Sequence, residues 1–169
     1  MKIYGNLNNR FDENHYYNGT YGNLQVGTYA TEYLYSDRHA YEVTEVIDQG
    51  HVFIRRLKAI RTDSYGMSDS QSYRYESDPK AASEEIMLRN GKWRHVRRYT
   101  KEGLEKAVSI AKEDCKTEDA AVRLANYRYC SGLTDKQRER MLAGKEIVKL
   151  QGEISISFGI ADEHYDYSF

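Results

Sequence analysis

Apolar positions along this chain change period twice, and each change marks a change of element. Between Thr28 and Val96 they fall in short β-branched and aromatic runs, the pattern of half-buried strands. Thr28–Tyr35, Tyr41–Ile47 and His51–Leu57 are three such runs. Ser36-Asp37-Arg38-His39 reads as a turn after the first, and Asp48-Gln49-Gly50 as a tight hairpin connection between the other two. Further on, Glu85–Arg89 and Lys92–Val96 flank Asn90-Gly91. Asn-Gly tolerates the positive φ angles of a type I′ turn, which makes this the strongest hairpin signal in the chain. Between these hairpins runs Arg61–Pro79 (RTDSYGMSDSQSYRYESDP), a long loop with one short strand predicted at Ser72–Glu76. A loop of this length in a compact domain is often functional, and an ordered cover over one end of the body is the structural alternative.

Over residues 100–144 the period becomes helical. Thr100 caps a helix with Leu104, Ala107, Val108 and Ala111 on one face. Thr117 caps a second, with Ala121, Val122, Leu124, Ala125 and Tyr129 inward. Thr134-Asp135-Lys136-Gln137 forms a capping box for a third helix, which Gly144 ends. Strand texture then returns at Ile147–Leu150. After a break predicted at Gln151-Gly152, Ile154, Ile156, Phe158 and Ile160 alternate along a half-buried strand over 153–159. The expected architecture is α+β: a small, strongly bent antiparallel β-barrel of SH3-like type with an inserted helical subdomain. It is read as a single domain over 1–169, with an N-terminal arm at 1–24. The β body takes 25–98 and 145–169, and the helical insert 99–144.

Composition changes this picture in two places. Sixteen tyrosines stand against four phenylalanines and one tryptophan. Such rings build small sheets, and they also line binding faces. Twenty-five basic and 26 acidic residues give a net charge of −1, so no global field draws the chain to nucleic acid or to an anionic membrane. The start, Met1-Lys2-Ile3-Tyr4-Gly5-Asn6, has no apolar signal region and no apolar run reaches membrane-spanning length. The expectation is a cytoplasmic protein with no membrane association, in which Cys115 and Cys130 are reduced thiols.

Candidate chemistry is sparse. Arg89, Lys92, Arg94, His95, Arg97, Arg98 and Lys101 surround the Asn-Gly hairpin, and Arg55, Arg56, Lys58 and Arg61 follow an earlier strand. If the two groups are neighbours they form a cationic patch for phosphates, with tyrosines such as Tyr65 and Tyr73 available to stack on bases. The plain alternative is a solvated face paired with acids such as Glu76, Glu84 and Glu85. Asp162-x-His164-x-Asp166 puts three possible metal ligands on one side of an extended segment, without a second element to complete a site. Ser64, Ser68, Asp63 and Asp69 suit turns, and there is no GxSxG, Walker A or GxGxxG motif. No catalytic residue, metal or cofactor is assigned.

Four segments carry a family resemblance: 35–43 (YSDRHAYEV), 58–79 (KAIRTDSYGMSDSQSYRYESDP), 89–93 (RNGKW) and 165–169 (YDYSF). Together with the opening 3–10 (IYGNLNNR), they resemble a family of small proteins encoded by phages and mobile elements of gut Firmicutes. The likeness is most specific at 67–75 and departs at 100–144, where many members pass almost directly from the Asn-Gly hairpin to the terminal strand. The resemblance implies a phage accessory protein that blocks host machinery in the host cytoplasm. The leading expectation is a non-enzymatic anti-CRISPR protein that binds an effector nuclease, with Arg55, Arg61, Tyr65, Tyr73, Arg89, Lys92, Arg94, Arg97 and Arg98 as candidate contacts. The alternatives are a nucleic-acid-binding accessory protein and a sponge for a signalling nucleotide.

Overall fold

A computed structural model describes residues 23–167 together with four two-residue strands, β1 (Lys2–Ile3), β2 (Arg10–Phe11), β3 (Tyr16–Tyr17) and β4 (Thr20–Tyr21). β1 pairs antiparallel with β2, and β3 with β4. Apart from these strands and its last two residues, the arm expected at 1–24 lies outside the described residues.

The chain divides into two compact units, one of Met1–Val96 with Gln151–Phe169 and one of Arg97–Leu150. The first holds β5 (Tyr29–Tyr33), β6 (Arg38–Asp48), β7 (His51–Arg56), β8 (Lys58–Arg61), β9 (Tyr73–Glu76) and β10 (Ser83–Arg89). The chain leaves this unit along β11 (Lys92–Tyr99). It returns along β12 (Ile147–Ile154), then adds β13 (Ile156–Phe158) and β14 (Ile160–Ala161). β14 pairs with β2, and β8 pairs antiparallel with β9.

The main sheet is antiparallel, seven-stranded and ordered β12-β11-β10-β7-β6-β5-β13. Its buried face carries Val43, Val52, Ile54, Ile86, Ile156 and Phe158, around which the core forms. Trp93 on β11 and Phe158 on β13 are far apart in strand order, yet their ring centroids lie 5.3 Å apart. The sheet is therefore strongly bent. It is not the closed barrel expected from the sequence. The two edge strands, β12 and β13, are successive pieces of one segment with only Ser155 between them, so they cannot lie side by side in a ladder.

Local signals set the hairpins. Asn90 and Gly91 take φ of 54° and 74°, and Arg89 opposes Lys92, as a type I′ turn requires. Asp48 opposes His51, and the Asp48 carboxylate accepts the Gly50 amide at 2.7 Å. The turn expected at 36–39 lies earlier, because Arg38 and His39 pair with Tyr33 and Glu32 and so begin β6. The break expected at Gln151-Gly152 falls instead at Ser155, and β12 runs through the glycine.

The second unit contains α1 (Lys101–Asp114), α2 (Glu118–Cys130) and α3 (Asp135–Leu142). Thr100, Thr117 and Thr134 each accept a backbone N–H from the first turn, and Gln137 completes the capping box. Gly144 ends α3 at φ 86°, with Lys145 N–H bonded to the Arg140 carbonyl at 3.0 Å. Leu104, Ala111, Ala121, Ala125, Cys130 and Met141 form its core. Val122, read as inward, is 39% exposed.

Candidate partner-binding surface

The long loop is framed by β8 and β9, whose register sets Arg61 opposite Tyr73. Thr62 N–H continues the ladder to the Ser72 carbonyl at 2.7 Å. Inside the loop, the Asp63 carboxylate accepts the backbone N–H of Tyr65 at 3.0 Å and of Ser72 at 2.6 Å. Arg61 Nε donates to both of its oxygens at 3.0 Å. The Arg61 guanidinium and these two amides hold the Asp63 carboxyl well below the usual carboxylate range. One charged side chain thus ties the strand end to both limbs of the loop.

The C-terminal segment locks the same frame from the other side. Gln71 is fully buried, donating from Nε2 to the Tyr165 carbonyl at 2.6 Å and accepting the Tyr165 amide at 3.0 Å. Its oxygen also accepts the Tyr73 hydroxyl at 2.7 Å. Arg61 Nη1 donates to the Tyr167 hydroxyl at 3.1 Å. Upstream, Glu163 is buried and receives Arg56 Nη2 at 2.5 Å and the Ala40 amide at 2.8 Å. The Glu163 amide donates to the Tyr75 hydroxyl at 2.9 Å. Asp162 faces Arg38 at 2.9 Å, an ion pair rather than one arm of a metal site. Among the described residues no three His, Cys, Asp or Glu side chains are arranged to hold a metal.

This scaffold presents the loop tip to solvent. Tyr65 is 68% exposed and Met67 73%, flanking Gly66 in the left-handed region at φ 64°. Both large side chains are displayed, and the Tyr65 amide beneath them is held by the Asp63 carboxylate. Aromatic residues and methionine are the types enriched at protein interfaces, and a pre-ordered loop loses little entropy on binding.

The other predicted contacts are dispersed. Tyr73 is buried beneath the loop, so it packs and does not reach a partner. Arg55 donates to Glu42 at 2.8 Å and to Ser77. Lys92 pairs with Glu153 and Arg98 with Glu146, both at 2.8 Å. Arg94 lies opposite Met87, on the face away from the buried Trp93, and reaches the Gln151 carbonyl at 3.5 Å. Arg89 is exposed at the turn. Arg55 opposes Ser83 at one end of β10, whereas Lys92 opposes Arg89 at the other. Six residues of strand rise separate them by about 20 Å, so the Asn-Gly turn, with Arg89 and Lys92, does not adjoin Arg55. Arg97 and Arg98 belong to the helical unit.

Sequence reading missed β8, the Gln71 lock and the Glu163 pair. Tyr73-x-Tyr75 alternation was the one local signal for the frame. No family model, curated protein or solved structure matches the chain. Among the described residues no helix is long and apolar enough to cross a membrane.

Proposed function

We propose that this chain is a phage-encoded, non-enzymatic inhibitor that binds a host defence protein in the host cytoplasm, with a CRISPR effector nuclease as its target. The observation that carries the reading is the framed loop, with Tyr65 and Met67 displayed over the Asp63 and Gln71 anchors. The family resemblance supplies the target class. Inhibition is steric: the loop tip occupies a surface that the nuclease needs for nucleic acid or for a moving catalytic domain. The strong bend of the sheet is the feature that supports kinship of the body to SH3-like barrels. The Arg55 guanidinium is committed to the shielded Glu42 carboxylate, which disfavours phosphate contact at that position.

The test is a cleavage assay with a panel of purified effector nucleases, with and without the chain. Wild type should protect the substrate for at least one of them, and Tyr65→Ala with Met67→Ala should weaken protection at least about tenfold, the loss of one modest interface anchor. No protection across the panel overturns the target class. Equal potency of the double variant overturns the role of the loop.

A further inference from the structure

The near-neutral net charge conceals a division between the units. Arg97–Leu150 contains thirteen Lys and Arg against nine Asp and Glu, a net of +4, whereas the remainder carries twelve against seventeen, a net of −5. On the helical unit, a cleft of about 220 Å³ opens between α1 and α2. Its small floor is made by Ala107, Ala111 and Ala125, and Ile110 and Tyr129 wall it. Both of its charged lining residues are cationic, Arg97 and Arg128, and no carboxylate lines it.

These arginines keep donors to offer. Arg97 stacks over the Tyr99 ring at 5.0 Å and reaches the Tyr129 carbonyl with one nitrogen at 3.5 Å. Arg128 meets Asp114 at 3.7 Å with both side chains more than half exposed, a pair of little strength. Ile110 is 65% exposed at the cleft wall. A larger groove of about 500 Å³ among the three helices has no such preference, since Glu105 lines it beside Lys101 and Lys112.

We infer that the α1–α2 cleft docks an acidic–apolar segment of a protein partner. One aliphatic side chain of that segment enters between Ile110 and the alanine floor. An adjacent carboxylate meets the Arg97 and Arg128 guanidinium groups, whose forked donors suit it. The charge sign of the cleft and of its unit selects this chemistry, and the cleft volume suits a single side chain. The inference rests on reading the chain as a protein binder, and it needs neither the Tyr65 loop nor any particular target.

The test is an amide-shift titration of ¹⁵N-labelled full-length chain with acetyl-Leu-Glu-Glu amide, against acetyl-Leu-Gln-Gln amide, inorganic phosphate and oligothymidylate. The acidic peptide should shift the amides of Ala107, Ile110, Ala125 and Tyr129. Its glutamine analogue should bind at least about fivefold more weakly, in line with typical couplings of charge-assisted contacts. Arg128→Gln and Ile110→Ser, both at exposed positions, should each weaken the peptide without altering the far-UV spectrum. Absence of cleft shifts overturns the inference, as does equal binding of the two peptides. Phosphate or oligothymidylate binding as tightly as the peptide at the same amides also overturns it. Failure of this titration leaves the loop-mediated inhibition standing, and failure of the nuclease panel leaves the cleft standing.

Discussion

Replacing Gly103 by alanine should destabilise the helical unit, against the usual effect of that change in a helix. Gly103 is the third residue of α1, and its N–H donates to the Thr100 cap at 3.0 Å. In an unobstructed helix interior the substitution gains about 1 kcal/mol, and less in a first turn. Here a Cβ would lie 2.0 Å from Tyr129 Oη, 2.8 Å from its Cζ and 3.1 Å from Thr100 Oγ1. Neither the hydroxyl oxygen nor the ring carbon can stay. Tyr129 Oη accepts the Thr100 amide at 3.1 Å, and its ring packs edge-on against Tyr99 with centroids 5.7 Å apart. Displacing it forfeits about 1 kcal/mol of hydrogen bond and about 1 kcal/mol of aromatic contact, within the range found for overpacked sites. The net expectation is a loss of about 1–2 kcal/mol, or about 2–8 °C in melting temperature for a chain of this size. Urea and thermal unfolding followed by far-UV circular dichroism measure it. Combining Gly103→Ala with Tyr129→Phe should recover part of the loss, because the closest atom goes but the ring carbon at 2.8 Å stays. A Gly103→Ala protein as stable as wild type, or more so, would refute the reasoning.

Three further outcomes follow from the frame of the first unit. Arg56→Ala leaves the buried Glu163 without its cation and should lower stability by about 2–3 kcal/mol, reduced from the fully buried case because Arg56 is partly exposed. Adding Glu163→Gln should restore much of it, and a double variant no better than Arg56→Ala counts against the pair. Burial, helped by the neighbouring Tyr167, pushes the Tyr73 hydroxyl up to about 12. Since the unfolded side chain ionises near 10, its contribution is intact below that pH and is lost as pH rises through about 12. Absorbance at the tyrosinate band should show Tyr73 titrating late, judged by difference from Tyr73→Phe. The depressed Asp63 carboxyl works the other way: its tie is present above the ordinary aspartate range and is lost only as pH falls well below it. Amides of Tyr65 and Ser72 should therefore remain protected from exchange at pH 4 in wild type and become exchangeable in Asp63→Asn.

What could be read from the sequence was what a few adjacent residues decide. Asn90-Gly91 fixed its hairpin through two positive φ angles, and three threonines capped three helices through bonds reaching only three residues along. The frame under the loop was hidden because its bonds span most of the chain. Gln71 finds Tyr165 and Glu163 finds Ala40 across about a hundred residues of sequence, and no local pattern encodes either. Tyr65 and Tyr73 illustrate the limit. Both are loop-region tyrosines of the same apparent character, yet strand pairing buries one and a left-handed glycine lifts the other into solvent. The basic residues at the Asn-Gly turn lie away from Arg55 for a related reason: proximity in sequence to two strand ends says nothing of the distance between those ends along β10.

The division of charge changes what the near-zero net value means. A charge sum constrains only the long-range field, and screening confines interactions to about 8–10 Å in ordinary salt, so the near-zero total does not describe the local charge that a ligand meets. The first unit holds its cations in two ways. Arg74 and Lys92 pair with Glu76 and Glu153, which are about as open to water as they are. Arg38, Arg55, Arg56 and Arg61 instead each face a carboxylate that is buried or nearly so. Removing such an arginine strands an acid in the interior, which fixes these cations in structural service. In the helical unit, Arg98, Lys112 and Arg128 pair with acids that are as open to water as they are. Pairs of that kind contribute little and exchange readily for a better anion. Exchangeable cations of this kind therefore occur in the helical unit and, at Arg74 and Lys92, in the first unit as well.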